Sequence, residues 1–276
     1  MLDFSIDQGR CTGCGACVHD CPARVLELVE GKAGMVAGKA EECIKCQHCL
    51  AICPVEAVTI GGVHASDCLK LDGQFPTPEQ LELLMRGRRS VRAYKRENLP
   101  PELIQRLVEV AWQAPTGVND RQVLFTVIDD LQTMDRMRQE LMGELAKVVR
   151  GGTLPERLAM YAKFVELWET KKIDILFRGA PHLIIASAPK DSPCPHEDCL
   201  IALSYFELYA HCQNVGTVWD GLAKWAFEAL IPGFPHRLGV PKDHKLGYVM
   251  AFGRPAVRYP RTGKHAPVLL NRVRTL

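Results

Sequence analysis

Eight of the chain's twelve cysteines fall inside the first 60 residues, in two runs of one spacing. Cys11, Cys14, Cys17 and Cys21 are followed by Pro22; Cys43, Cys46, Cys49 and Cys53, each 32 positions later, are followed by Pro54. Three cysteines separated by two residues can wrap a short loop around one face of a cubane, and an iron-sulfur cluster needs four such soft, anionic sulfurs. In runs of this kind the fourth cysteine serves the other cluster. Cys11, Cys14 and Cys17 are therefore expected to pair with Cys53, and Cys43, Cys46 and Cys49 with Cys21, stapling the two halves together. Zinc also takes four cysteines, but its motifs present C-x2-C pairs and not two four-cysteine runs ending in Cys-Pro. Gly13 and Gly15 allow close backbone approach to the first cluster, whereas the second loop carries Ile44, Lys45, Gln47 and His48. The two potentials are expected to differ.

Residues 1–60 accordingly resemble a bacterial ferredoxin carrying two 4Fe-4S clusters, over the whole segment. That segment has eight acids against five bases, net −3, and the remainder is +5. A disulfide framework, the other reading of many cysteines, belongs to short exported chains. This chain has 276 residues, and its N-terminus lacks a basic region followed by an apolar stretch. No segment approaches about 18 uninterrupted apolar residues. The expectation is a cytoplasmic protein with no membrane partner. A net charge of +2, from 34 bases and 32 acids, gives no electrostatic case for nucleic acid.

Gly, Asp, Ser and Lys dominate from Gly61 to Pro76, which reads as a linker, and a second domain is expected over 77–276. Thr77-Pro78-Glu79-Gln80 supplies a capping hydroxyl, a proline for the first helical position and a reciprocal Gln, so a helix should run to about Gly87. Apolar spacing predicts helices over 101–114, 131–150, 155–170 and 198–215, and β-branched or apolar runs predict strands over 123–128, 182–188 and 246–252. Helices exceed strands, so the fold class is α+β.

Arg88, Arg89, Ser90 and Arg92 concentrate three guanidinium groups and a hydroxyl on one turn, a group that fits a phosphate; on this run alone a solvated basic turn is the other reading. From 77 to 276 the chain resembles the FMN-dependent nitroreductase family, which implies an α+β domain with a mixed sheet and many helices. Four places carry the resemblance. The Arg-Arg-Ser-x-Arg run matches the family motif holding the FMN phosphate, ribityl chain and pyrimidine side of the ring. Pro115, Thr116, Gly117 and Asn119 lie in a second motif, which reaches FMN from the partner subunit; typical members continue with Gln-Pro-Trp, but this chain has Asp120-Arg121-Gln122-Val123. Trp219, Asp220 and Gly221 resemble the segment whose backbone amides face flavin N5. Phe252-Gly253-Arg254-Pro255 and the following residues resemble the stretch that sends a cation to the phosphate, with Arg261 favoured and Arg258 the alternative. The family implies a homodimer with two interfacial FMN sites.

No G-x-G-x-x-G follows a strand, so a Rossmann site for FAD or a tightly held dinucleotide is unsupported. Cys194, His196 and Cys199 could suggest zinc, but isolated cysteines are more often small buried hydrophobes. The reading is an FMN-dependent oxidoreductase in which electrons pass through two clusters to FMN and reduce a nitroaromatic, quinone or activated alkene, with no catalytic side chain required. The expected partner is an electron donor such as ferredoxin or NAD(P)H. Two other readings stay open: an electron carrier without small-molecule turnover, and a dehydrogenase or dehalogenase on the same fold.

Overall fold

Left-handed backbone angles recur with the cysteines' own 32-residue offset in the computed structural model, which describes residues 2–71, 73 and 75–275. Gly13 (φ 72°) matches Lys45 (55°), Gly15 (74°) matches Gln47 (62°), and Arg24 (51°) matches Glu56 (54°). Gly15 and Gln47 are the N-caps of two short helices, α1 (Ala16–His19) and α2 (His48–Ala51). Around them β1 (Phe4–Ile6) pairs antiparallel with β4 (Val58–Ile60), and β2 (Leu26–Val29) with β3 (Lys32–Met35). The β2–β3 hairpin turns on Glu30 and Gly31, both at positive φ, the twist that two-residue hairpin loops favour. Val25, Leu26, Ala33, Leu50, Ala57, Val58 and Ile60 form the core, together with Cys11, Cys17 and Cys49.

The chain divides into two compact units. The first is Met1–Phe75 with Gly117–Asp120, and the second is Pro76–Thr116 with Arg121–Leu276. Part of the segment expected as a linker is ordered: Ala65–Asp67 forms a 3-10 turn closed by a His64–Asp67 capping box, and Ile60 bridges Val63. Residues 72 and 74 of that segment lie outside the described residues.

In the second unit α3 (Pro78–Gly87) starts on the reciprocal cap read from the sequence. Gln80 N donates to Thr77 Oγ1 at 3.2 Å and Thr77 N to Gln80 Oε1 at 3.0 Å. There follow α4 (Pro101–Ala111), β5 (Leu124–Ile128), α5 (Leu131–Arg150), α6 (Met160–Lys171) and β6 (His182–Pro189). The chain continues through α7 (Pro195–Cys212), β7 (Gly216–Trp219), α8 (Gly221–Trp225), a π-helical turn over Ala226–Leu230, α9 (Phe234–Arg237) and β8 (His244–Gly253). The four strands run in the order β5-β6-β8-β7, each pair antiparallel. The sheet's parallel element is a bridge from Ser90 to Thr217.

Alternation along the central strands buries both sheet faces. Leu183, Ile185, Val249 and Ala251 pack in one cluster with Leu141, Leu145, Val165 and Phe227 from α5, α6 and the π turn. Ile184, Ala186, Met250 and Phe252 pack in the other with Leu107, Leu203 and Phe206 from α4 and α7. Each fully buried side chain of this size contributes roughly 1.5–3 kcal/mol. α7 begins three residues before the expected Asp198, because Pro195 suits the first turn and Glu197 and Asp198 favour its positive end. It stops at Cys212 as Asn214 turns left-handed (φ 54°).

Candidate functional site

Eight of the nine cysteines of the first unit sort into two cavities. One is lined by Cys11, Cys14, Cys17 and Cys53, the other by Cys21, Cys43, Cys46 and Cys49. Each combines three cysteines of one run with the last of the other, the crossed arrangement read from the spacing. Burial pushes the Cys49 thiol up to about 11, with Cys46 and Cys43 adding to the shift, and burial likewise raises Cys17. Cys11 is lowered instead, by the Ala33 and Gly13 amides and the Lys32 ammonium. The Ala57 amide donates to Cys53 Sγ at 3.3 Å. These donors suit sulfurs that carry negative charge. Gly13 is sterically required, since a Cβ there would lie 1.9 Å from the Gly31 carbonyl oxygen. Asn119, in the same unit, donates from Nδ2 to the Ile44 carbonyl at 2.9 Å, between Cys43 and Cys46.

In the second unit Arg88 caps α3, and the run it opens lies alongside β7. Val91 N donates to Thr217 O at 2.8 Å. Gly216 permits this approach, because a Cβ on it would meet Val91 at 2.6 Å. The residues after β8 lie beside the same run, with Ala256 N donating to Ala93 O at 2.8 Å. Arg89, Arg258 and Arg261 therefore line one cleft of about 1010 Å³, with Gln80, Leu84 and Gly216 among its walls. The other two arginines go elsewhere. Arg88 pairs with Glu207, and Arg92 lines a separate cavity of about 800 Å³ with Arg96, Arg138 and Arg178. Thr116 Oγ1 accepts from Arg121 N at 3.0 Å.

The comparisons match these two units. Residues 85–254 match the model of the nitroreductase family. The chain belongs to the nitroreductase family. Residues 10–58 match the 4Fe-4S dicluster domain. A ferredoxin of Methanothermococcus thermolithotrophicus is 36% identical over 58 residues, covering 20% of this chain and 93% of that one. A putative NADH dehydrogenase/NAD(P)H nitroreductase of Methanothermobacter thermautotrophicus is 23% identical over 198 residues, covering 70% and 86%. The structure of a nitroreductase with bound FMN from Desulfitobacterium hafniense superposes with TM-score 0.53 at 26% identity, covering 68% and 94%. The protein is thus a nitroreductase-type oxidoreductase preceded by a ferredoxin-like iron-sulfur domain.

Of two buried carboxylates in the second unit, the motifs did not name Glu207 and named Asp220 only for its backbone. Glu207, on α7, has an 8% exposed side chain and gathers Arg88, the Thr217 hydroxyl at 3.0 Å and the Trp219 indole at 2.9 Å. It lies far from the arginine run in sequence, and only its position within an apolar helix signals it. Asp220 caps α8 by accepting from Ala223 N at 2.8 Å, while burial pushes its carboxyl up to about 7. Its Oδ2 has no hydrogen-bond partner among the described residues. Trp225 is exposed, and Cys199 is buried tightly against Gly247, consistent with packing. Among the described residues no group of three His, Cys, Asp or Glu is gathered as for a single ion, and no helix is long and apolar enough to cross a membrane.

Proposed function

We propose that the protein is an FMN-dependent reductase in which electrons enter singly through two 4Fe-4S clusters, pass to FMN and leave as a pair to a nitroaromatic, quinone or activated alkene. The observation that carries this reading is the sorting of eight cysteines into two crossed sets of four, in a chain of the nitroreductase family. Two one-electron centres together hold the pair that one flavin takes. The FMN bound in the Desulfitobacterium relative supports the choice of flavin.

FMN, when bound, supplies two-electron chemistry at N5. The residues bind and orient it. Arg89, Arg258 and Arg261 would hold the phosphate, in the cleft those residues line. Ser90 would serve the ribityl chain and Arg92, from the separate cavity it lines, the ring; Pro115, Thr116 and Gly117 would complete the pocket in a homodimer, and the Trp219–Gly221 backbone would supply amides to the ring. Glu207 fixes that segment through Trp219 and Thr217 while holding Arg88.

The test is anaerobic stopped-flow absorbance of the holoprotein with NADH, NADPH or reduced ferredoxin, followed by each acceptor. Flavin bleaching by reduced ferredoxin and recovery with an acceptor supports the reading. Flavin that bleaches but returns electrons only to a protein carrier would make this an electron-transfer protein. Iron well below about eight atoms per chain would remove the two-cluster basis.

A further inference from the structure

The turn Gly117–Asn119 is held in an unfavourable conformation. Val118 (φ 47°) and Asn119 (φ 58°) are both left-handed, and for the β-branched Val118 that region is a steric outlier. Such conformations persist where surrounding structure over-determines them. In the second unit Arg121, also left-handed (φ 55°), braces the chain that leads into and out of the turn. Its guanidinium donates to Ala114 O at 2.8 Å and to Trp112 O, and lies 4.9 Å from the Trp112 ring centroid. Within the first unit the turn directs one side chain at the second cysteine loop: Asn119 Nδ2 donates to Ile44 O at 2.9 Å.

Ile44 O belongs to the peptide that links Ile44 to Lys45, inside the loop between Cys43 and Cys46. The amide at the other end of that peptide, Lys45 N, finds no protein acceptor among the described residues. A carbonyl that accepts a hydrogen bond polarises its own peptide and makes the N–H a stronger donor. Hydrogen bonds to cluster sulfurs are one of the levers that set reduction potential, because they offset the charge of the added electron. The first loop is served differently: there the Lys32 ammonium donates to Cys11 O. Asn119 therefore brings to the second loop a donor from outside the repeat.

We propose that Asn119 is a positioning residue for the second cysteine cavity, and that through the Ile44–Lys45 peptide it raises the reduction potential of the cluster held by Cys43, Cys46, Cys49 and Cys21. This rests on the two-cluster reading above. It gives a role to the turn just before the point where this chain departs from the family sequence: Asn119 addresses the cluster loop, and Arg121, at the departure, holds Trp112 and Ala114.

The experiment is a redox titration of the full-length anaerobic holoprotein monitored by paramagnetic resonance, with iron and flavin content measured in parallel. Asn119→Gly removes the donor and relieves the left-handed strain; Asn119→Asp keeps the size and sets an anion against the carbonyl. One midpoint should fall in Asn119→Gly, its reduction equilibrium becoming roughly threefold to tenfold less favourable, where tenfold is about 59 mV for one electron. Asn119→Asp should lower it further, and the other midpoint should stay. In a Cys46→Ser background, which strips a ligand from the second cavity, Asn119→Gly should leave the surviving midpoint unmoved. The proposal is overturned by two unchanged midpoints, by two equal shifts, by a shift in the Cys46→Ser background, or by iron loss in Asn119→Gly. Wild-type protein with iron for a single cluster would instead overturn the reading on which it rests.

Discussion

Arg88 and Glu207, 119 positions apart in sequence, meet with Nη1 and Oε1 3.2 Å apart, and the same carboxylate accepts from Thr217 and Trp219. One buried anion thus satisfies three donors from α3's end and β7. Glu207→Leu should cost about 2–4 kcal/mol in urea unfolding of the flavin-free protein, because it strands those donors together. The loss falls below the usual range for a buried pair because Arg88 keeps some solvent. Glu207→Gln, which still accepts from Trp219 or Thr217, should cost about half as much. A Leu variant as stable as wild type would mean that water replaces the carboxylate.

Gly13 and Lys45 occupy equivalent backbone positions, but only Gly13 lies under a carbonyl, 1.9 Å from where its Cβ would be. Gly13→Ala should therefore empty the first cysteine cavity, with iron falling toward half. Lys45→Gly should keep full iron and gain stability, of the order of 1 kcal/mol from relief of the left-handed residue. Equal iron in wild type and Gly13→Ala would show that the Gly31 turn yields instead.

If Arg89, Arg258 and Arg261 hold a phosphate, each contributes a charge-assisted bond of about 1.5–3 kcal/mol. Arg89→Ala and Arg261→Ala should each weaken FMN binding roughly 10- to 100-fold in a fluorescence titration of the flavin-free protein, and riboflavin binding should be almost unaffected. Unchanged FMN affinity in both variants would move the phosphate out of this cleft. Arg92→Ala and an equal loss for riboflavin would point to the ring.

Asp220 makes stability depend on pH in the direction opposite to most carboxylates. Its folded value of about 7 reflects burial first, with Asp174 adding and the Ala223 amide and Arg178 opposing. The unfolded value is about 3.9. Between these values the folded state keeps a proton that the unfolded state has released, so this contribution is complete below about pH 4 and is lost as pH rises to about 7. Asn can still accept from Ala223 N. Asp220→Asn should therefore be more stable than wild type at pH 8, by up to about 4 kcal/mol, with the advantage shrinking toward pH 5. Parallel denaturation curves over that range would refute the shifted carboxyl.

What was legible in the sequence was what local chemistry decides. The α3 cap at Thr77 and Gln80, the full span of α5, and strands β5, β6 and β8 follow from capping and apolar period, and the cysteine spacing anticipated the two crossed cavities. Less legible were features that depend on distant partners. The arginine run could not reveal that Arg88 turns toward Glu207 while Arg89 shares a cleft with Arg258 and Arg261, because those directions depend on β7 passing at Gly216. β1 to β4 are three or four residues each, too short for a period to register. Asn119 was read through a family motif, and its bond to Ile44 depends on two successive left-handed angles, which Asn119 tolerates but the β-branched Val118 does not announce.

The exchange of Cys21 and Cys53 between the two cavities bears on how metal is acquired. With a cluster in each cavity, filling one would draw in a sulfur from the opposite run and shorten the search left to the other, so uptake of iron by the wild type should be cooperative and half-loaded molecules scarce. The order of events follows from the loops. Gly13 and Gly15 reach their left-handed angles cheaply, whereas Lys45 and Gln47 must be held in theirs. In the wild type the first loop should therefore fill more readily than the second.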